Sequence, residues 1–150
     1  TNYKVFSIPK NLIPNKIPTP ERWEKFDENC DRAKILLNDN TLDRILSFSK
    51  TKIIRSRYSD STIHRVKYSL DNSDYTIDEH DDACRFTVIV YLKKSSEIKD
   101  EFWVGKNKIT ENLWSTNENI YNCLIFWGNS PHHGKIYGSG KREILCFFSD

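Results

Sequence analysis

Three stretches of the chain carry side chains that could do chemistry together. His80, Asp81 and Asp82 read His-x-Asp inside an acidic run that starts at Asp78. His132 and His133 follow Pro131, His133 standing 53 positions after His80, and Arg142 stands in an apolar stretch further on. A redox-active Fe(II) is held by two imidazoles and one carboxylate on one face, which leaves positions open for substrate and oxygen. His-x-Asp supplies two of those ligands, since residues i and i+2 of an extended segment share a face. The third must come from elsewhere. His133, at the start of a late strand, is the expected ligand, with His132 its competitor. Alone, each feature has an ordinary explanation: an acidic loop is usually solvated surface, and a single arginine in a strand is usually an edge residue. Together they describe a metal site.

The elements that must position these residues are mostly strands. Residues 1–20 contain Pro9, Pro14, Pro18 and Pro20, too dense for continuous helix or a central strand, and are read as an extended lead-in. Thr19-Pro20-Glu21 resembles a helix start. Trp23, Phe26, Cys30, Ala33, Ile35, Leu36 and Leu37 then recur near helical spacing, which predicts a helix over 20–38. A second helix is predicted over 41–48, with Leu42, Ile45 and Leu46 inward. Beyond Lys50, short β-branched and aromatic runs alternate with Asp, Asn, Ser and Gly. Strands are predicted over 53–58, 63–70, 85–92, 101–104, 123–127, 133–137 and 142–148. The fold class expected is mainly β with N-terminal helices, a sandwich or jelly roll with the helices packed on one sheet. The 150 residues form one expected domain: lead-in 1–20, helical support 20–49 and β core 52–149.

Charge and cysteines narrow the partners. The formal net charge is +2, from 23 Lys and Arg against 21 Asp and Glu, too balanced to suggest nucleic acid. No apolar run reaches the length of a membrane helix, and residues near the start lack signal-peptide order. Cys30, Cys84, Cys123 and Cys146 are widely separated with no CxxC pair, so free thiols are expected. The expected location is cytoplasmic. Lys52, Arg55 and Arg57 could contact an acidic partner, although alternating charges more often mark the wet face of a strand.

Two segments carry a family resemblance: RVKYSLDNSDYTIDEHDDACRFTVIVYLKK and CLIFWGNSPHHGKIYGSGKREILCFF. From Val66 to Phe148 the chain resembles the Fe(II)- and 2-oxoglutarate-dependent dioxygenases of double-stranded β-helix (cupin-like) fold, prolyl-4-hydroxylase-like branch. In that family a tyrosine-bearing strand leads to His-x-Asp, a strand of form R-x-T-x-x-x-Y-L follows, and a basic residue comes after the second histidine. The resemblance implies His80, Asp82 and His133 as iron ligands and Arg142 as the partner of the distal carboxylate of 2-oxoglutarate. It implies Tyr91, and Tyr68 on the preceding strand, as neighbours of that carboxylate. Arg142 stands nine positions after His133 and ten after His132, and nine is the spacing of this branch. A guanidinium can grip a carboxylate bidentately, which agrees. The family's Gly-Gly-Glu segment is replaced by Ile98-Lys99-Asp100-Glu101-Phe102.

The function so implied is hydroxylation of a C–H bond in an amino-acid side chain of a peptide or protein, proline first among candidates, at the expense of O2 and 2-oxoglutarate. The nucleic-acid demethylases of the same superfamily usually carry a second arginine six residues past the first, where this chain has Phe148. Two other classes remain: a β-sandwich binding module whose acidic loop holds at most calcium, and a cupin-like zinc or manganese enzyme without 2-oxoglutarate. Calcium would have little use for the histidines, and a metal-only hydrolase gives Arg142 no task.

Overall fold

The computed structural model describes residues 2–56 and 61–150. Its strands are β1 (Tyr3–Pro9), β2 (Glu24–Asp27), β3 (Cys30–Ile35), β4 (Ser61–His80), β5 (Phe86–Lys94), β6 (Ile98–Val104), β7 (Asn107–Lys108), β8 (Ile120–Trp127) and β9 (His132–Ser149). One α-helix, α1 (Thr41–Ser49), accompanies them, with a 3-10 turn at Lys10–Leu12. The protein is therefore mainly β and antiparallel. No helix among the described residues is long and apolar enough to cross a membrane.

The helix expected over 20–38 is replaced by the β2–β3 hairpin. Its turn is closed by the Asn29 N–H donating to Asp27 Oδ1 at 2.8 Å, a local bond that Asp offers in competition with helix. β3 then pairs along β4, from Cys30 opposite Tyr68 to Ile35 opposite Ile63. Tertiary pairing overrides an approximate 3.6-residue period. The expected helix over 41–48 forms as α1, with Leu42, Ile45 and Leu46 buried. Residues 53–56 of the expected 53–58 strand lie in no regular element, and 57–58 lie outside the described residues. The lead-in contributes an edge strand, β1, which pairs with β8; its prolines fall at or after its last residue.

Strands expected separately over 133–137 and 142–148 are one long strand, β9. On one edge it pairs with β4 nearly throughout, and on the other it changes partner: β5 meets 142–149 and β6 meets 132–138. β4 and β9 are therefore the longest shared strands of one nine-stranded antiparallel sheet, through which the other pairings connect. The change of partner happens at a bend. Gly138 and Gly140 take φ of +117° and +121°, and a Cβ on Gly138 would stand 2.1 Å from the Glu97 carbonyl oxygen. Glycine alone fits such backbone approach.

Two apolar clusters sit on either side of the strands. The inner cluster, on one face of the sheet, includes Tyr68, Tyr91, Ile98, Phe102, Leu124, Phe126, Ile136 and Ile144. The outer one joins Phe86, Val88, Ile125, Leu145 and Phe147 to Ile45 and its neighbours on α1. Burial of the outer cluster holds the sheet in shape, and the inner one surrounds the polar residues that could do chemistry.

Candidate metal centre

Strand register decides which polar side chains meet. Val66, Tyr68 and Leu70 of β4 point inward at even positions, yet further along Tyr75 and Ile77 are the inward pair. The register slips between Leu70 and Ser73 and again between Ile77 and His80. Each slip inserts one residue and swaps the face that later residues present. Two slips return His80 to the inner side, directly opposite His132. Asn72, in the first slip, takes the left-handed φ of +48°.

His80, Asp82 and His132 are thereby gathered so that one ligand atom from each lies within 4.8 Å of the others. The His132 Nε2 is 3.3 Å and the His80 Nε2 3.5 Å from Asp82 Oδ1. Both imidazoles are oriented from behind. The His80 Nδ1–H donates to the Asp78 carbonyl at 2.7 Å, and the His132 Nδ1–H to the Ser130 carbonyl at 2.9 Å. That fixes the tautomer and turns both Nε2 atoms toward the carboxylate, the arrangement found behind metal-bound histidines. Asp82 is steadied in turn by the Thr87 hydroxyl, which donates to its Oδ2 at 2.7 Å. Its backbone N–H donates to the Gly128 carbonyl at 2.8 Å. Gly128 has no substitute here, because a Cβ would stand 2.0 Å from the Cys84 carbonyl oxygen.

The electrostatics follow from this packing. Burial alone would raise the Asp82 carboxyl, but hydrogen bonds from His132 and Thr87 outweigh it and hold the group below its ordinary value. Burial alone would lower His132, and the bonds to Asp82 and to the Ser130 carbonyl raise it instead. A cation among the three would replace a shared proton. Side-chain exposure is 47% for His80 and 4% for His132, so the group opens to solvent on the His80 side.

His133, the expected third ligand, is not the histidine brought to this cluster. It points to the other face of β9, stacked on Trp103 at 4.8 Å with the rings 5° from parallel. The reason is the period of two: His132, Ile136, Arg142 and Ile144 are all even and share the inner face, whereas His133 is odd. Because β9 carries no inserted residue of its own, ten positions keep histidine and arginine on one side and nine would not.

Arg142 lies in the same interior, 5% exposed. Its guanidinium sits over the rings of Tyr68 at 4.9 Å, Trp114 at 5.3 Å and Tyr91 at 5.8 Å. Tyr68 and Tyr91 thus meet Arg142 through their ring faces. Its Nε–H donates to Asp100 Oδ2 at 2.8 Å, and its Nη1 is buried without a hydrogen-bond partner among the described residues. Burial opposes the charge, but Tyr68, Asp100 and Tyr91 hold the proton on Arg142. The roles of Thr87 and Asp100 were missed from sequence. Alternation gave a signal for Asp100, since its neighbours Ile98 and Phe102 on β6 are buried. Thr87 gave none, because its partner Asp82 lies in a loop. Phe126, buried beside the cluster, packs 4.6 Å from the His132 ring.

No family model and no curated protein matches this sequence. Among solved structures the chain is similar to an oxidoreductase of the 2OG-Fe(II) oxygenase family from Burkholderia pseudomallei. That similarity has a TM-score of 0.51 at 10% identity and covers 85% of this chain and 70% of that one. The chain is also similar to a cupin superfamily protein from Desulfitobacterium hafniense, with a TM-score of 0.45, 14% identity and 95% and 97% of the two chains covered. A third is IDO from Bacillus thuringiensis, with a TM-score of 0.44, 14% identity and 99% and 73% covered. The last two scores add no weight; at its identity the first is a likeness of fold, and that fold is one on which an oxygenase has been solved.

Proposed function

We propose that this protein is an Fe(II)- and 2-oxoglutarate-dependent dioxygenase of double-stranded β-helix fold that hydroxylates a C–H bond of an amino-acid side chain in a peptide or protein. Proline is the leading specific substrate. The observation that carries the reading is the pairing, inside one set of sheets, of a His80–Asp82–His132 cluster with a buried arginine that has an unpartnered N–H group. Two imidazoles and one carboxylate suit iron, and they disfavour calcium, which seeks an all-oxygen shell. Arg142 Nη1 suits an anionic ligand end.

When bound, iron with 2-oxoglutarate supplies the oxidation of the C–H bond at the expense of O2; the protein contributes binding and orientation. His80 and His132 present Nε2, and Asp82 presents Oδ1, on the open side of the cluster. Thr87 and the Asp78 and Ser130 carbonyls keep those atoms in place. Arg142 holds the distal carboxylate, with Tyr68 and Tyr91 walling the pocket and excluding water. A peptide substrate reaches the cluster from the exposed His80 side. The nucleic-acid alternative is weaker, because Phe148 stands at the second arginine position and packs on His64 at 5.3 Å.

One observation favours a second reading, a cupin-like metal enzyme without 2-oxoglutarate: Asp100 already pairs with Arg142. Anaerobic titration of the protein with Fe(II) and 2-oxoglutarate separates the two. The dioxygenase reading expects the weak visible charge-transfer band of the chelate. It also expects that Arg142→Ala keeps metal binding and loses the band at concentrations that saturate the parent. Fe(II) binding with no band in the parent would leave the metal-only enzyme.

A further inference from the structure

The Asp100–Arg142 pair admits two opposite roles. Asp100 could occupy the arginine and compete with a ligand carboxylate, or it could hold the guanidinium so that the ligand finds it oriented. A guanidinium offers N–H groups along a side edge that includes Nε and along an end edge that includes Nη1. Asp100 takes Nε, at 2.8 Å. Nη1 is the atom left buried and unpartnered among the described residues. A competitor would pair with the end edge, whereas this carboxylate leaves Nη1 without a partner.

Asp100 is itself held. The Trp114 Nε1–H donates to both of its oxygens, at 3.1 and 3.0 Å, and the Trp114 indole packs edge-on against Tyr91 at 5.1 Å. Asp100 reaches the interior because it is in phase with Ile98 and Phe102 on β6, opposite Ile136 of β9. A buried charge left without its partner is strongly unfavourable, so Asp100 also keeps Arg142 charged and inward before any ligand arrives.

Resting on the dioxygenase reading, we propose that Asp100, fixed by Trp114, is a positioning residue that holds Arg142 by Nε and so presents its Nη end to the distal carboxylate of 2-oxoglutarate. The segment that departs from the family's Gly-Gly-Glu pattern thereby has a task in co-substrate binding. Asparagine at 100 can still accept from Nε and alanine cannot, which separates position from charge.

The test is calorimetric titration of 2-oxoglutarate into the 150-residue chain loaded anaerobically with Mn(II), with Mn(II) affinity and thermal midpoint measured alongside. Asp100→Ala is expected to weaken 2-oxoglutarate by about tenfold, the weight of one oriented charge-assisted hydrogen bond, with Mn(II) affinity unchanged. Asp100→Asn is expected to restore most of that loss. Trp114→Phe, which keeps the ring and removes the donor, is expected to cost roughly threefold and serves if Asp100→Ala does not fold. Equal or tighter binding by Asp100→Ala or Trp114→Phe overturns the proposal and makes Asp100 a competitor. A loss that Asp100→Asn fails to rescue overturns it as well. Failure of the parent to bind 2-oxoglutarate overturns the dioxygenase reading and this inference together, whereas binding indifferent to position 100 overturns this inference alone.

Discussion

The two polar ends of the inner cluster are built on opposite principles. At the mouth, His80, Asp82 and His132 gather a carboxylate with two imidazoles, and the cluster opens to solvent through His80. Deeper in, Arg142 is enclosed by Tyr68, Tyr91 and Trp114 and paired with Asp100. The mouth has the donor set of a cation site and is open to water. The inner end stores a positive charge where water is scarce, so each hydrogen bond there weighs more. The mouth also rests on a loop anchored to Gly128, whereas the inner end is built entirely from strands and Trp114. A ligand anionic at one end and metal-chelating at the other would satisfy both.

Removing one histidine at the mouth gives the largest expected effect. His132→Ala should weaken Fe(II) or Mn(II) binding by more than about 100-fold, beyond what losing an outer-shell partner costs. His133→Ala should change it by less than about twofold, because that ring lies on the other face of β9. Calorimetric metal titration of both variants checks this, and the reverse ranking would remove His132 from the site.

Thr87→Val keeps the shape of the side chain and removes the hydroxyl that steadies Asp82. A loss of roughly tenfold in metal affinity is expected, with 2-oxoglutarate affinity at saturating metal unchanged. Weakening of both ligands alike would mean that the two ends are not separate.

The smallest effect concerns the thiols. Burial pushes Cys30 up to about 11 and Cys146 up to about 12, and both lie in the inner cluster. Burial also raises Cys123, which is fully buried in the outer cluster. Cys84, half-buried beside Thr87, is raised as well, though hydrogen bonding from Thr87 works against its burial. Raised values keep the protonated, unreactive thiol at pH 8. Iodoacetamide should therefore modify Cys84 first at pH 8, read by peptide mass mapping; faster labelling of Cys146 would show that water enters between the two ends.

Much of this was legible in the chain. His-x-Asp at His80 and Asp82, the continuous apolar runs of β5 and β8, α1 and the arginine at 142 all announce themselves through local pattern, because run length and helical period depend only on neighbours. The helix expected over 20–38 failed for the complementary reason. Trp23, Phe26 and Cys30 satisfy either period loosely, and only pairing of β3 with β4 chooses between them. The residues that tune the site, Thr87 and Asp100, are ordinary in sequence and acquire meaning from partners distant along the chain.

The choice between His132 and His133 shows most plainly where sequence stops. Residue types and spacing pointed to a metal cluster completed by one of two adjacent histidines, with His133 the expected one. They also determined that Arg142 lay an even number of positions from one and an odd number from the other. Whether an inserted residue in β9 reversed that parity could not be read from the chain. The tertiary structure put both register slips on β4 and none on β9, so the period of two carried His132 and Arg142 to the same face and turned His133 away.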